Sequence, residues 1–167
     1  QEANRLIGVS IIKETENICL IKDFSANLEQ EFEPTLRRTF QMLSEMALDF
    51  LKALEQKDDI LMSTLEEKHD TLTKFISYCL RMISKGTIQK NNVESHMIYH
   101  ILACIDSIVD IYKYAARDYY PVFKSKITKT TISWLKEVNE GFNTYHKLFY
   151  SFTNEKCDHF IKTRDNY

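Results

Sequence analysis

An all-α fold carrying a small N-terminal β-hairpin is predicted by three observations. Glycine and proline are scarce, 3 and 2 in 167 residues, where turn-rich β folds need many of both. Apolar residues recur at spacings of three and four over long stretches, the signature of amphipathic helices. The segments between those stretches are short and polar, so the helices are expected to pack as an antiparallel bundle.

The hairpin is read from "LIGVSIIKETENICLIKDF" (6–24). Two β-rich runs, 7–12 and 18–22, flank the polar "KETEN". "SANLEQEFEP" then leads into a first helix reaching about Lys57, with Pro34 tolerated in its first turn. Its stripe is Leu36, Phe40, Leu43, Ala47, Phe50, Leu51 and Leu54.

Asp58 or Asp59 is suited to cap the second helix, whose stripe is Leu61, Leu65, Leu72, Phe75, Ile76, Cys79 and Ile83. Gly86 suits its C-terminal end. Asn91 and Glu94 have the spacing of a capping box for the third helix. That helix is expected to bury Met97, Ile98, Ile101, Ile105, Ile108, Val109, Tyr112 and Ala116, and to end or bend at "YYP" (119–121). A fourth carries Ile127, Trp134, Leu135, Val138, Phe142, Tyr145, Leu148, Phe149 and Phe152, and Asn154 is placed to cap a last one. A shift of 95 positions lays the first stripe on the fourth, a faint internal repeat that points to two related helical units. The expected domains are a hairpin and linker at 1–24, a first bundle at 25–120 and the start of a second at 121–167. A second unit without its third helix leaves an under-covered apolar face, so a homodimer is expected.

Bulk properties narrow the function. A net charge of −2 without a basic stripe predicts no nucleic acid contact by this chain. No apolar run approaches the roughly 20 residues of a membrane span, so no membrane insertion is expected. Cys19, Cys79, Cys104 and Cys157 are scattered, with no disulfide framework; Cys79 and Cys104 fall on apolar faces, and a cytoplasmic location is expected. The chain opens at Gln1 rather than at a methionine, as a piece of a longer protein would.

No phosphate-binding glycine loop, nucleophile elbow or dinucleotide fingerprint is present, which favours a binding or regulatory module over an enzyme. The residues that could carry chemistry are acids one helical turn apart. Asp106 and Asp110 lie about 40° apart on a helical wheel, beside Lys113 and Arg117. They read either as a solvated flank, with Asp110 paired to Lys113, or as oxygen ligands sharing a cation. Glu66/Asp70 and Glu45/Asp49 repeat the spacing. His69 falls near an apolar stripe, where histidines are usually structural. His96 and His100 are an i,i+4 pair without a cysteine at zinc-finger spacing.

"RLIGVSIIKETENICLIKDF" followed by "EPTLRRTFQMLSEMALDFLKAL" resembles archaeal phosphate uptake regulators of the PhoU type. "ALEQKDDILMSTLEEKHDTLTKFI" resembles that family's first interhelical turn, and "YHILACIDSIVDIYKYAARD" its third helix. The family's acidic motif, E/D-x-x-x-D, matches "IDSIVD" at Asp106 and Asp110, with Ser107 where the family has arginine. The resemblance implies two similar antiparallel three-helix bundles, the second incomplete here for want of its third helix, and a non-catalytic adaptor in phosphate homeostasis. It would contact phosphate transporter components or a signalling protein. The resemblance also implies a divalent metal (Fe, Mg, Mn or Zn) at Asp106 and Asp110, helped by Glu66 and Asp70. Two alternatives stand beside it: a metal-binding helical-bundle protein, and the dimerising or sensing part of an AbrB-type transcription regulator.

Overall fold

The structure is a computed structural model that describes residues 9–14, 19–23, 28–86, 88 and 91–164. Strands β1 (Val9–Glu14) and β2 (Cys19–Asp23) pair antiparallel, with Val9 opposite Asp23 and Glu14 opposite Cys19. The register shifts between Ile11 and Lys13, a bulge of one residue. The centre of the expected "KETEN" turn lies outside the described residues.

The other regular elements among the described residues are helices: α1 (Leu28–Gln56), α2 (Asp59–Ser63), α3 (Leu65–Ser84), α4 (Asn92–Tyr114), α5 (Tyr120–Phe123), α6 (Lys129–Tyr150) and α7 (Asn154–Arg164). The all-α class is therefore what the chain adopts after its strands. No helix among the described residues is long and apolar enough to cross a membrane.

Local chemistry sets the helix ends. The Leu61 N–H donates to Asp58 Oδ1 at 2.9 Å, so Asp58, not Asp59, caps α2. The Glu94 N–H donates to Asn91 Oδ1 at 2.9 Å, and Thr128 Oγ1 accepts from the Thr131 N–H ahead of α6. Before α7 the cap is Thr153, whose Oγ1 accepts from the Lys156 N–H; Asn154 is already helical. Gly86 closes α3 at φ +64, its N–H bonded to Ile83 O. After α1 the left-handed position falls to Lys57, φ 53, and the Asp58 N–H reaches back to Ala53 O.

One expectation about proline is corrected and another is narrowed. Pro34 lies inside α1, because the helix begins at Leu28. "YYP" does not end the third helix. A π-helical turn, Ala115–Tyr119, widens the chain ahead of Pro121, with the Tyr120 N–H donating five residues back to Ala115 O. The helix then continues through α5 and a 3₁₀ turn, Lys124–Lys126. Proline lacks the N–H that an α-helical bond to residue 117 needs, and the wider turn accommodates that loss.

The chain forms two compact units, one from segments Gln1–Leu43 and Glu67–Ile111, the other from Ser44–Glu66 and Tyr112–Tyr167. Each unit draws on separate stretches of chain, whereas the division at 24/25 and 120/121 read from the sequence uses consecutive ones. The first unit buries Phe32, Leu36, Phe40 and Leu43 of α1, Leu72, Ile76, Cys79 and Met82 of α3, and Ile98, Leu102, Ile105 and Val109 of α4. The second buries Met46, Ala47, Phe50, Leu51 and Leu54 with Met62, Leu65, Tyr112 and Tyr120.

The α1 stripe is buried throughout, as its spacing requires. Of the expected α4 stripe Ile98, Ile105, Val109 and Tyr112 are buried, but Met97 is 61% exposed, and Leu102, not expected inside, is buried. In α6 the difference is larger. Trp134 and Val138 are 65% and 56% exposed, and the one buried side chain of that helix is Asn139. The faint repeat therefore does not extend to burial.

Candidate functional site

In α3 the buried positions Leu65, Leu72 and Ile76 share one face, and helical spacing puts position 69 on that face with them. His69 is accordingly buried, which an imidazole tolerates only with both nitrogens engaged. Its Nδ1 lies 2.9 Å from Asp70 Oδ1, and its Nε2 lies 2.9 Å from Asp110 Oδ1 on α4. Each ring nitrogen thus has a carboxylate oxygen within hydrogen-bond distance.

Asp106, one turn before Asp110, is half-buried. Burial first, and then the Asp110 carboxylate, push its carboxyl above the ordinary value, while His69 pulls the other way. Of the expected site residues, Asp70 and Asp110 are brought together by His69, while Asp106 makes no hydrogen bond to the ring. Among the described residues no three His, Cys, Asp or Glu side chains are grouped to hold a metal ion. One oxygen each of Asp70 and Asp110 is already within hydrogen-bond distance of the His69 imidazole. The expected pairing of Asp110 with Lys113 is replaced by the bond to His69, and Lys113 Nζ lies over the Tyr114 ring, 5.9 Å from its centroid.

Glu66, the fourth expected ligand, belongs to the second unit. There it lines a cleft of about 330 Å³ with Met62, Lys113, Arg117, Tyr120 and Lys124. The π-helical turn presents Arg117 to this cleft. The charged side chains at the rim are mostly tied in pairs. Lys124 Nζ donates to both oxygens of Asp59 at 2.9 and 3.2 Å, and the Tyr120 hydroxyl donates to the same carboxylate at 2.9 Å. Lys124, then Tyr120, hold the Asp59 carboxyl below its ordinary value. Arg117 makes a two-pronged contact with Asp118 at 2.8 and 3.1 Å.

Two groupings were not visible in the pattern of apolar residues. In the second unit the Tyr112 hydroxyl donates to Asn139 Oδ1 at 2.8 Å, and Asn139 Nδ2 donates to the Ala47 carbonyl at 3.1 Å. Burial pushes the Tyr112 hydroxyl up to about 12. On α4, Cys104 is exposed rather than on an apolar face, and its Sγ lies 3.8 Å from His100 Nε2. The signal was there as His-x-x-x-Cys, one turn apart. Cys79 behaves as expected of a small hydrophobe: it is fully buried, and burial pushes its thiol up to about 12.

No family model, curated protein or solved structure matches this chain.

Proposed function

We propose that this chain is a non-catalytic helical regulator of phosphate uptake, PhoU-like in its bundles, that acts by contact with a transporter component or signalling protein. The observation that carries the reading is the exposed pair Trp134 and Val138, one turn apart on α6 and 65% and 56% exposed. Tryptophan in solvent beside an aliphatic neighbour is costly for an isolated chain and is the usual anchor of a protein interface. The charged groups, by contrast, are satisfied internally: His69 by two aspartates, Lys124 by Asp59, Arg117 by Asp118. What supports a regulator over a catalyst is this division, with chemistry turned inward and contact surface left open. The "IDSIVD" match at Asp106 and Asp110 supplies the link to phosphate, with Asp110 also seating His69 in this reading.

Deleting the gene in the source organism and following radiolabelled phosphate uptake tests it. Uptake is expected to lose its repression in phosphate-rich medium. The wild-type gene should restore repression, and a Trp134→Glu, Val138→Glu variant should not. Unchanged uptake in the deletion strain, or full rescue by the double variant, would overturn the proposal.

A further inference from the structure

On α4 six solvent-exposed residues, Val93, Met97, His100, Cys104, Ser107 and Ile111, follow one another at spacings of 4, 3, 4, 3 and 4. That is the seam of a coiled coil, left uncovered within the first unit. None of the six carries a fixed charge. The spacing reads the same in both directions, so an antiparallel second copy brings the seam onto itself. Val93 then meets the partner's Ile111, Met97 the partner's Ser107, and His100 the partner's Cys104.

The centre of that seam is a ligand pair. His100 Nε2 and Cys104 Sγ are 3.8 Å apart. A tetrahedral Zn²⁺ with nitrogen at about 2.0–2.1 Å and thiolate sulfur at about 2.3 Å separates the two donors by about 3.6 Å. A change of a few tenths of an ångström in exposed side chains closes that difference. One chain supplies only two ligands, and among the described residues no third His, Cys, Asp or Glu joins them. The two-fold register supplies the other two.

We propose that His100 and Cys104 form half of a Cys₂His₂ site for a borderline-to-soft divalent ion such as Zn²⁺, completed by the same pair from a second copy of this chain. On binding, each Cys104 S–H bond breaks, the sulfur–metal bond forms, and the proton passes to solvent. Zinc suits this donor set. The inference is independent of the phosphate-uptake reading.

Cobalt titration of the purified full chain, stripped with chelator under reducing conditions, is the test, with Co²⁺ as the spectroscopic stand-in for Zn²⁺. The expected result is one Co²⁺ per two chains, with the intense d–d absorption of a tetrahedral centre and a sulfur-to-cobalt charge-transfer band. Light scattering should report two-chain particles in the metal-loaded sample, and Zn²⁺ should displace the cobalt. Cys104→Ser and His100→Ala should each abolish the signature, while His96→Ala, which removes the neighbouring histidine one turn earlier, should leave it. Met97→Lys with Ile111→Lys alters exposed seam positions only. It should keep the helical circular dichroism and lose the tetrahedral spectrum. Octahedral cobalt, one ion per chain without dimerisation, loss on His96→Ala, or an unchanged spectrum in Cys104→Ser would each overturn the proposal.

Discussion

His69 Nε2 lies 2.9 Å from Asp110 Oδ1, a contact that fastens α3 to α4 through a histidine that is itself buried. The ring cannot leave one nitrogen idle, because an unmet buried donor or acceptor costs roughly 1–3 kcal/mol. Asp110 is therefore tied to folding through His69, whereas Asp106, one turn away, gains nothing comparable.

The two aspartates should behave differently when replaced. Asp110→Ala removes a partner of the buried ring and is expected to cost about 1–3 kcal/mol in urea denaturation at neutral pH. Asp106 has its carboxyl raised by burial and by Asp110, so its ionised form is the disfavoured one in the folded chain. For such a group the folded state is favoured while the carboxyl is protonated and loses that advantage as pH rises. Asp106→Asn is therefore expected to fall within about 0.5 kcal/mol of wild type at neutral pH, on the stabilising side. Equal losses for the two variants would refute this separation.

How much of the site was legible follows from the same pair. The i,i+4 spacing put Asp106 and Asp110 on one side of their helix, and that is where they are. What spacing could not give was the partner. His69 lies 41 residues from Asp110 along the chain, and its role depends on which face of α3 turns inward. A histidine between Leu65 and Leu72 was the clue, since a polar side chain on a buried face must find hydrogen bonds. Glu66 is one turn before Asp70, yet it lines the cleft of the other unit.

Thiol chemistry should separate the cysteines. Cys79 is fully buried and its thiol is pushed up to about 12, so neither access nor ionisation favours attack. Cys104 is exposed. Iodoacetamide followed by mass spectrometry of the native, metal-free chain should modify Cys104 and leave Cys79 unmodified until denaturant is added. Labelling of Cys79 at the rate of Cys104 in the native chain would contradict the packing of α3.

Backbone strain at the helix ends gives a paired expectation. Gly86 has φ +64, and a Cβ there would meet nothing within 4 Å, so the cost of Gly86→Ala is conformational only, about 1 kcal/mol. Lys57 occupies the equivalent left-handed position after α1 with a side chain. Lys57→Gly should therefore stabilise the chain by up to about 1 kcal/mol. Thermal denaturation of the two variants checks both signs, and a destabilised Lys57→Gly would show that its side chain supplies more than the strain it imposes.

The helix ends were largely readable, because a cap is a local matter: Asp58, Gly86 and Asn91 each act within four residues. The α1 stripe was readable for a similar reason, since a long helix buried along one face repeats its signal many times. The α6 stripe misled. Its aromatic residues outweigh Asn139 in any apolar count, yet Asn139 is the residue that goes inside. A buried amide is visible only through its partners, which come from α1 and α4. The π-helical turn was unreadable because proline predicts a broken α-helical bond without saying whether the chain stops or widens.

The Tyr112–Asn139 bond should make the second unit sensitive to alkali. Tyr112 is buried with its hydroxyl raised to about 12 from an ordinary value near 10, and burial is the cause. Its ionised form is thus favoured in the unfolded chain. Stability from the neutral phenol is fully present below pH 10 and declines as pH climbs toward 12, by roughly 1.4 kcal/mol for each pH unit in that window. Tyr112→Phe removes the titration but strands Asn139 Oδ1, which accepts from the Tyr112 hydroxyl, so the variant should lose about 1–2 kcal/mol at neutral pH. Replacing both residues, Tyr112→Phe with Asn139→Leu, removes donor and acceptor together and should recover part of that loss, though the Ala47 carbonyl also gives up a bond. The measurement is urea denaturation from pH 7 to 11. Wild type should weaken above pH 10 more steeply than Tyr112→Phe, and identical alkaline slopes would show that the phenol does not control this unit's stability.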